Sequence, residues 1–491
     1  MLSLPQFDAA SGEPIYKQLY EHIRGEILSG RLARGTKLPA TRELSTQLDL
    51  NRTTVAAAYE LLEKEGLIRG HVGRGSYVAG VGPGAGDGFW APRLVQEPAA
   101  EAALPPMADD CVNFTSARPA GDVFPLKEFR ASCAEVIGRE DAGRILELGS
   151  PHGYAPLRRR LLEQAVERGE AREGDEVMVT NGCQQALDLL QRTLTVPGDA
   201  VAVEDPIYPG LKILFSQAGV RTYGVKVTAG GMDVDELEAL LKRERIRLIA
   251  VTPNFQNPTG ATMPREARRR LLQVARDAGV AVLENDVYGA LRYEGEAVES
   301  LKSMDETGIV ARLNSFSKIA FPGLRVGWVT ARRELTAALA ARKQLTDLHS
   351  DQLSQAVLLR FMESGRLDAH VARIVEAGRA RLAAVDQACK SWLPAGTRWT
   401  HPQGGMNVWV SLPEPLDASA LMEKAFAAGV AYLPAKYFAV GLAEPGGLRL
   451  SFAHLSEERI EEGIARLGIV LEDELARARA AWRDDRSPAI V

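Results

Sequence analysis

The chain has 491 residues, 46% of them hydrophobic and 25% charged, and its formal net charge is −5. This length exceeds that of one domain and the composition is that of an ordinary globular protein, so two or three folded domains are expected. The sequence has no apolar run of about 18 residues, no signal-like start and no clustered cysteines, which argues against a membrane-spanning or secreted class and predicts a reducing, cytoplasmic location without a metal site.

Residues 1–78 are predicted to form a helix-turn-helix followed by a wing. Two helices follow a first helical segment, one beginning near Thr41 and the other capped by Asn51 and stopped by Gly66. Residues 67–78 then supply two short strands around a glycine-bearing tip. Apolar side chains at spacings of three and four predict a shared core for the two helices, made of Leu44, Leu48, Val55, Tyr59 and Leu62.

The charge of this region does not by itself indicate a DNA-binding module. Residues 1–78 hold 10 Lys and Arg against 9 Asp and Glu, and the remainder of the chain carries −6. Nucleic-acid-binding domains are usually strongly basic, so a DNA-binding prediction has to depend on the motif.

The second predicted helix begins with polar residues that suit contacts with base edges, since recognition helices present their first turn to the major groove. Other arginines are better placed for phosphates, which fix the register of a protein on DNA. The candidates for base edges are Arg52, Thr53 and Thr54, and those for phosphates are Arg42, Arg69 and Arg74. A solvated surface position explains any one arginine equally well. The ordered pattern of helix, turn, capped helix and wing nevertheless resembles the GntR family of transcriptional regulators over nearly all of residues 11–78.

Residues 79–112 are predicted to be a linker, because glycine and proline at their density there cannot hold a helix or a central strand. In residues 113–491, short apolar runs alternate with longer helical patterns, which indicates a sheet buried on both faces and therefore mostly parallel. The apolar runs lie at 177–180, 200–204, 248–252, 281–284 and 310–314. The sheet belongs to a predicted large subdomain, about 150–335. A predicted small α+β subdomain follows at about 336–475, with strands near 405–412 and 448–452.

Residues 314–328, Asn-Ser-Phe-Ser-Lys-Ile-Ala-Phe-Pro-Gly-Leu-Arg-Val-Gly-Trp, place Lys318 directly after a predicted strand. A lysine is nucleophilic only when neutral, so burial or a neighbouring cation must lower its pKa. The hydroxyls of Ser315 and Ser317 and the guanidinium of Arg325 could bind a phosphate group. An isolated lysine in a polar loop is usually exposed, but this segment resembles the lysine loop of fold type I pyridoxal-phosphate enzymes.

Besides the lysine, pyridoxal 5′-phosphate needs an acid at its pyridine nitrogen, donors to its ring oxygen and an anion site for its phosphate. Asp286 follows an apolar strand, where the ligands of open α/β sheets gather, and is the candidate acid. Backbone amides at the start of a helix suit the phosphate. The resemblance assigns the ring oxygen to Tyr288 and Asn257, stacking on the ring to Tyr208, the phosphate to Gly182, Cys183 and Gln184, and a ligand carboxylate to Arg449.

Several of these assignments have an ordinary structural alternative. Asn257 lies in an Asn-Pro-Thr-Gly segment that a turn also explains, Tyr208 suits a hydrophobic core, and Arg449 suits a surface ion pair. One departure from the resemblance is Leu148, which stands where aminotransferases often carry a tyrosine that reaches the phosphate of the partner subunit. That contact is either missing or supplied by another residue. The candidates to supply it are His152 and Tyr154.

A GntR-type winged helix fused to an aminotransferase-like body resembles the MocR family of transcriptional regulators. The resemblance implies a winged helix-turn-helix followed by a pyridoxal-phosphate-dependent transferase of fold type I, with a large mostly parallel sheet and a small α+β part. It also implies a homodimer with cofactor sites at its twofold interface, a double-stranded DNA operator and a small amine or amino-acid effector. Two alternatives stay open: a working aminotransferase that uses a 2-oxo acid acceptor, and a regulator that senses pyridoxal phosphate itself.

Overall fold

The computed structural model describes residues 7, 13–28, 31–32, 35–71, 75–78, 110–119 and 121–484. The chain divides into two compact units, Met1–Ala103 and Leu104–Val491. The linker predicted at 79–112 lies outside the described residues up to residue 109. None of the helices in the described ranges is both long and apolar enough to cross a membrane.

The first unit is a winged helix, as predicted. Its helices and strands are α1 (Ile15–Leu28), α2 (Thr41–Leu48), α3 (Arg52–Lys64), β1 (Ile68–His71) and β2 (Gly75–Val78). β1 and β2 pair antiparallel and form the base of the wing, whose tip, residues 72–74, lies outside the described residues. The helices and this ribbon enclose a core in which Leu44, Val55 and Leu62 are fully buried.

Local capping determines where α2 and α3 begin. The side-chain oxygen of Asn51 accepts a hydrogen bond from the backbone amide of Thr53 at 3.1 Å, as predicted for a helix cap. The cap of α2 is Ala40, whose amide donates to the carboxylate of Glu43 at 3.0 Å. Each bond satisfies a backbone amide that the helix itself leaves without a partner.

The second unit combines a large α/β part with a smaller α+β part. Its strands are β3 (Val112–Asn113), β4 (Asp175–Asn181), β5 (Ala200–Asp205), β6 (Arg221–Thr228), β7 (Gly231–Met232), β8 (Ile246–Val251), β9 (Ala281–Asn285), β10 (Val310–Ser315), β11 (Val326–Arg332), β12 (Arg398–Trp399), β13 (Asn407–Ser411), β14 (Val430–Ala431), β15 (Leu433–Pro434) and β16 (Gly447–Ser451). Its α-helices are α4 (Leu126–Ile137), α5 (Ala155–Glu167), α6 (Gly182–Leu194), α7 (Pro209–Gln217), α8 (Val234–Arg243), α9 (Arg265–Asp277), α10 (Leu301–Met304), α11 (Arg333–Asp347), α12 (Gln352–Glu363), α13 (Arg366–Trp392), α14 (Met422–Ala427) and α15 (Glu457–Asp484).

The main sheet of this unit, within residues 121–484, has eight strands in the order β4-β11-β10-β9-β8-β5-β6-β7. The strands from β10 to β6 are parallel, which confirms the mostly parallel sheet predicted from the apolar runs. β11 is antiparallel to both β10 and β4, and β7 is antiparallel to β6. The carboxyl ends of β4, β9 and β10 therefore meet at one edge, where Asn181, Asn285 and Ser315 end the strands.

Alternate side chains of the central strands pack against two different layers of helices. Leu283 and Leu313 lie in one hydrophobic cluster with α6, α7 and α11, on the side called the α6 face. Val282 and Val310 lie in another cluster with α8 and α9, on the side called the α9 face. Because successive side chains of a strand point to opposite faces, each polar residue of β9 and β10 meets only one of these layers.

The small part brings the beginning of the unit to the carboxyl edge of the main sheet. Its sheet has the order β12-β13-β16-β15 and packs with α13 and α15 around buried residues such as Phe452 and Ile464. β3 pairs in parallel with β14 of this part. The pairing places the segment that follows β3, including Thr115 and Ala117, beside the residues of the candidate site.

Candidate functional site

Lys318 ends the 3-10 turn that follows β10 and is half-buried. Its Nζ donates to the carbonyl oxygen of Ala117 at 2.6 Å and lies 5.7 Å from the centroid of the Tyr288 ring. Burial lowers the pKa of Lys318 to about 8, and the guanidinium groups of Arg449 and Arg325 act in the same direction. A substantial fraction of the amine is therefore neutral near physiological pH, as a nucleophile has to be.

The first turn of α6 and the loop after Lys318 form a cradle for an anion. Gly182 starts α6 with φ +74°, and a side chain there would collide with the guanidinium of Arg325. That guanidinium lies 3.5 Å from the Ser317 hydroxyl, and no carboxylate of the described residues pairs with it. Backbone amides at the beginning of a helix lack an intrahelical acceptor, so those of Gly182, Cys183 and Gln184 suit a phosphate group together with Arg325.

The two serine hydroxyls of this loop have different partners. The Ser315 hydroxyl accepts a hydrogen bond from the Ser317 amide at 3.0 Å and donates to the carbonyl oxygen of Val326 at 3.1 Å. It is thus engaged in holding the turn that presents Lys318. The Ser317 hydroxyl faces Arg325 and is the one of the two that suits an anion.

Asn257, Tyr288 and Arg449 are joined by hydrogen bonds close to Lys318. The amide nitrogen of Asn257 donates to the Tyr288 hydroxyl at 3.3 Å, and Arg449 donates to the Asn257 oxygen at 3.0 Å and to the carbonyl oxygen of Thr115. Arg449 is buried, which lowers its pKa to about 10, and no acid in the described part of the chain pairs with it. A buried cation without a counter-charge is costly, so this geometry suits a ligand carboxylate and not a surface ion pair.

The border of this pocket includes the predicted aromatic ring of Tyr208. It also includes a backbone segment that no sequence pattern predicts. Tyr208 caps α7, is 37% exposed and places its hydroxyl 3.5 Å from Gln184 Oε1, so it does not fill the core. Its ring is available to stack on a planar ligand. The carbonyl oxygens of Thr115 and Ala117 are brought in by the pairing of β3 with β14, a long-range contact without a local sequence signal.

Asp286, the predicted acid, does not join this group of side chains. Its carboxylate accepts a hydrogen bond from Asn254 at 2.8 Å and pairs with Arg312 at 2.6 Å, on the α9 face. The preceding residue, Asn285, lies on the α6 face, and its buried side-chain oxygen has no hydrogen-bond partner among the described residues. The position of Asp286 after a strand indicates that it lies at the carboxyl edge of the sheet, but not which face of the sheet its side chain meets. Alternation along β9 places Asn285 and Asp286 on opposite faces, and the packing of Leu283 assigns Asn285 to the α6 face.

Leu148 lies on the surface. It belongs to the first of two exposed apolar segments, residues 146–148 and residues 345–348. Leu148 is 81% exposed and Leu345, in the second segment, is 90% exposed. Gln352 of α12 donates to the carbonyl oxygen of Glu147 at 2.9 Å, which ties the first segment to α12. Asp347 at the end of α11 accepts from Asn181 at 2.6 Å, so the second segment borders the strand that leads into α6. The ring of Tyr154 packs in apolar clusters.

The candidate DNA-contacting residues belong mostly to the accessible surface of the first unit. The exposed ones are Arg42, Arg52, Thr53 and Arg69. Thr54 is half-buried, and Arg74 lies outside the described residues. Within the described ranges, the three exposed arginines form no ion pair with a carboxylate, which leaves their charges available for phosphates.

Comparison with known proteins finds relatives of both units. Residues 109–467 match the family described as Aminotransferase class I and II, and residues 15–78 match the family described as Bacterial regulatory proteins, gntR family. The HTH-type transcriptional regulator TauR of Rhodobacter capsulatus is 30% identical over 92% of this chain and 96% of its own length. The probable rhizopine catabolism regulatory protein MocR of Rhizobium meliloti is 28% identical over 93% of this chain and 94% of its own length.

The second unit is also similar to solved aminotransferases. LysN of Thermus thermophilus, an α-aminoadipate aminotransferase complexed with N-(5′-phosphopyridoxyl)-L-leucine, is 36% identical with a TM-score of 0.70. The alignment covers 75% of this chain and 94% of that one. This aminotransferase thus matches about three quarters of the chain, whereas the two regulators match more than nine tenths of it.

Proposed function

The chain belongs to the class I and II aminotransferase family and carries a GntR-family winged helix, and we propose that it is a MocR-type transcriptional regulator that binds pyridoxal 5′-phosphate and responds to an amino acid. The winged helix makes DNA its macromolecular partner. The observation that carries the proposal is the pair of neighbouring cations Lys318 and Arg449, for which the described residues provide no acidic partner. Burying such cations without a counter-charge is costly, so they are suited to binding an electrophile or an anion that is not part of the chain.

The donor set around Lys318 fits pyridoxal 5′-phosphate, the cofactor of this family. When bound, the cofactor supplies an aldehyde that combines with amines and a ring that withdraws electrons from them. Lys318, with its lowered pKa, would provide the neutral amine that condenses with this aldehyde, with release of water. Arg325, the Ser317 hydroxyl and the backbone amides of Gly182, Cys183 and Gln184 hold the phosphate, and Ser315 keeps the loop in place.

The remaining polar residues orient the ring and the effector. Asn257 holds the hydroxyl of Tyr288, so that both donate toward the ring oxygen, and Tyr208 covers one side of the ring. Arg449 receives the carboxylate of the effector. Because Arg449 is buried and lacks a counter-charge in the described part of the chain, an amino acid fits this pocket better than a simple amine.

The winged helix reads DNA through the first turn of α3. We assign Arg52, Thr53 and Thr54 to base edges and Arg42, Arg69 and Arg74 to phosphates. A second copy of the chain covers the exposed apolar segments at 146–148 and 345–348, of which the second lies next to Asp347, the partner of Asn181 at the start of α6. Such a twofold dimer presents two winged helices to two operator half-sites. Effector binding changes DNA affinity only if the effector prefers one of two dimer conformations.

The proposal is tested with Lys318→Ala and with Lys127→Ala, a matched change of an exposed lysine on α4. We expect the wild-type protein and Lys127→Ala to acquire visible absorbance with pyridoxal phosphate and to change their salt-sensitive DNA footprint when an amino acid is added. Lys318→Ala should lose the absorbance and the response to the amino acid while still binding DNA. The assignment is wrong if Lys318→Ala retains both properties.

A working aminotransferase is the second candidate, since Lys318 and Arg449 are also the residues that proton transfer and substrate binding require. Incubation with amino acids and a 2-oxo acid acceptor separates the two functions. Turnover at ordinary enzyme rates without specific DNA binding would favour the aminotransferase. A spectral response without turnover, together with a specific footprint, would favour the regulator.

A further inference from the structure

Asn285 and Asp286 are consecutive polar residues at the carboxyl end of β9 that point to opposite faces of the main sheet. Leu283, two residues before Asn285, packs on the α6 face, and Leu313 lies opposite Asn285 on β10 in the same cluster. Glu284 and Asp286 therefore lie on the α9 face. There, Glu284 accepts hydrogen bonds from the backbone amides at the start of α10, at 2.8 and 2.9 Å.

The carboxylate of Asp286 already has partners on the α9 face. One oxygen lies 2.6 Å from Arg312, and the other accepts from Asn254 at 2.8 Å. Asn254 is held in turn by Arg268 of α9 at 2.6 Å. Turning the carboxylate toward the α6 face would take a partner from the buried Arg312, which is unfavourable. Asp286 is therefore part of the structural ion-pair network of the sheet.

Asn285 is in the opposite situation. Its side-chain oxygen is buried, yet it accepts no hydrogen bond from any described residue. A buried acceptor without a partner is costly, and native proteins seldom keep one unless water or a ligand satisfies it. The unpartnered oxygen of Asn285 thus marks a ligand-facing position.

The surroundings of Asn285 are those of the proposed cofactor site. Cys183, at the first turn of α6, packs against the hydrophobic cluster of the α6 face. Burial raises the pKa of the Cys183 thiol, while Ser315, Lys318 and Arg325 lower it, which places all three close to this face of α6. Asn285, at the end of β9, pairs with Leu313 of β10 and lies on the same α6 face of the sheet.

We propose that Asn285, an uncharged amide, faces the pyridine nitrogen of the cofactor in the place that the sequence predicts for Asp286. This inference rests on the proposed cofactor site at Lys318. In pyridoxal phosphate the ring nitrogen lies para to the carbon that bears the aldehyde, while the phosphate arm and the ring oxygen flank that carbon. With Lys318 at the aldehyde, Arg325 at the phosphate and Tyr288 at the oxygen, the nitrogen would lie on the side away from Lys318, where Asn285 at the end of β9 would meet it.

An amide at this position changes what the pocket can do. A carboxylate would hold the ring nitrogen protonated through a charge-assisted hydrogen bond. The Asn285 oxygen can accept from a protonated nitrogen, and a half-turn of the amide lets its NH2 group donate to a neutral one, so the side chain does not favour the charged form. With the cofactor bound, an uncharged ring would withdraw electrons weakly, so Lys318 would remove the α-proton of a bound amino acid slowly. Such a pocket retains an amino acid as a receptor does.

The test measures the protonation state of the ring nitrogen directly. Protein loaded with pyridoxal phosphate that is ¹⁵N-labelled in the ring is examined by solid-state NMR at neutral pH, because the nitrogen chemical shift separates the two forms. We expect the neutral form in the wild type and the protonated form in Asn285→Asp. Exchange of the α-proton of a bound amino acid with deuterated solvent should also be about tenfold faster in Asn285→Asp, the factor that corresponds to one pKa unit.

The matched control is Asp286→Asn, which changes the neighbouring side chain on the other face. We expect it to leave the ring nitrogen neutral and to lower the melting temperature, because the buried Arg312 loses one of the carboxylates that pair with it. A protonated nitrogen in the wild type that becomes neutral in Asp286→Asn would overturn the inference and assign the nitrogen to Asp286. An unchanged spectrum in Asn285→Asp would also overturn it, by showing that residue 285 does not contact the ring.

The wild-type spectrum alone is decisive if Asn285→Asp does not fold, since a protonated wild-type nitrogen contradicts the inference. Failure of the proposed function gives a different result. A wild-type protein that takes up no cofactor, or a Lys318→Ala variant that takes it up unchanged, would overturn the proposed function and this inference together. Cofactor uptake that depends on Lys318, with a protonated ring nitrogen, would overturn the inference alone.

Discussion

Single residues in the second unit carry charge in two distinct arrangements. Burial alone would lower the pKa of Arg312, but the carboxylates of Asp286, Glu170 and Glu284 raise it above its ordinary value. At the carboxyl edge of the sheet, Lys318 and Arg449 have no acidic partner within the described ranges, and burial lowers the pKa of each. Paired buried charges maintain the geometry of the sheet, whereas unpaired cations are suited to a ligand.

These arrangements also explain which site residues the sequence could predict. Lys318 and Arg325 share one short loop, and Asn257 and Tyr288 each follow a predicted strand within a few residues, so a local pattern locates them at the pocket. The role of Asp286 could not be predicted in the same way, because its partners on the α9 face come from distant parts of the chain. Only the paired strands show which of two consecutive polar residues faces the pocket.

The pKa of Lys318 leads to a pH-dependent prediction. We expect the rate at which the cofactor-free protein takes up pyridoxal phosphate to rise with pH through a midpoint near 8, because only the neutral amine attacks the aldehyde and its pKa is about 8. Arg449→Met removes a neighbouring cation that lowers this pKa, so the midpoint should move to higher pH. Stopped-flow absorbance measures both midpoints. The control is Arg398→Met, at an exposed position on β12, which should leave the midpoint unchanged. If the midpoint of Arg449→Met is also unchanged, the prediction is contradicted.

Helices and strands differ in how much of their structure is determined locally. The start of α3 is fixed by Asn51 within two residues of the helix, so capping chemistry predicts it from the sequence. The apolar runs predict β4, β5, β8, β9 and β10 because both faces of these strands are buried. The antiparallel insertion of β11 between β10 and β4 depends on pairing between distant segments. No periodicity in the loop after Lys318 predicts that arrangement.

The cap of α3 gives a prediction for the stability of the winged helix. Asn51→Ala removes the side-chain oxygen that accepts from the Thr53 amide, so we expect the free energy of unfolding of the first unit to fall by about 1 kcal/mol. Urea unfolding followed by circular dichroism measures the change. Gln47→Ala, at an exposed position inside α2, is the matched control and should cost less. Equal losses in the two variants would show that the cap does not stabilise the helix.

At the scale of the whole molecule, the exposed leucines connect the pocket to the proposed dimer. Leu148 and Leu345 are among the most exposed large apolar residues within the described ranges. The segment with Leu345 lies next to Asp347, which accepts hydrogen bonds from Asn181 and Gln185 at the start of α6. A second copy bound to these leucines would therefore lie beside the first turn of α6, which is part of the proposed phosphate site. Dimer assembly, cofactor binding and pairing of the winged helices would then be coupled.

This coupling predicts the effect of a charge in the apolar surface. We expect Leu345→Glu to raise the dissociation constant of the dimer at least tenfold, about 1.4 kcal/mol, because the interface would have to bury an unpaired carboxylate. Sedimentation velocity measures the dissociation, and visible absorbance and footprint length report cofactor binding and operator occupancy in the same samples. Leu442→Glu is the control, since Leu442 is 101% exposed in the small part of the unit. Because a monomer presents a single winged helix, the footprint of Leu345→Glu should shrink to one half-site, and a full-length footprint from a monomeric variant would contradict the paired arrangement.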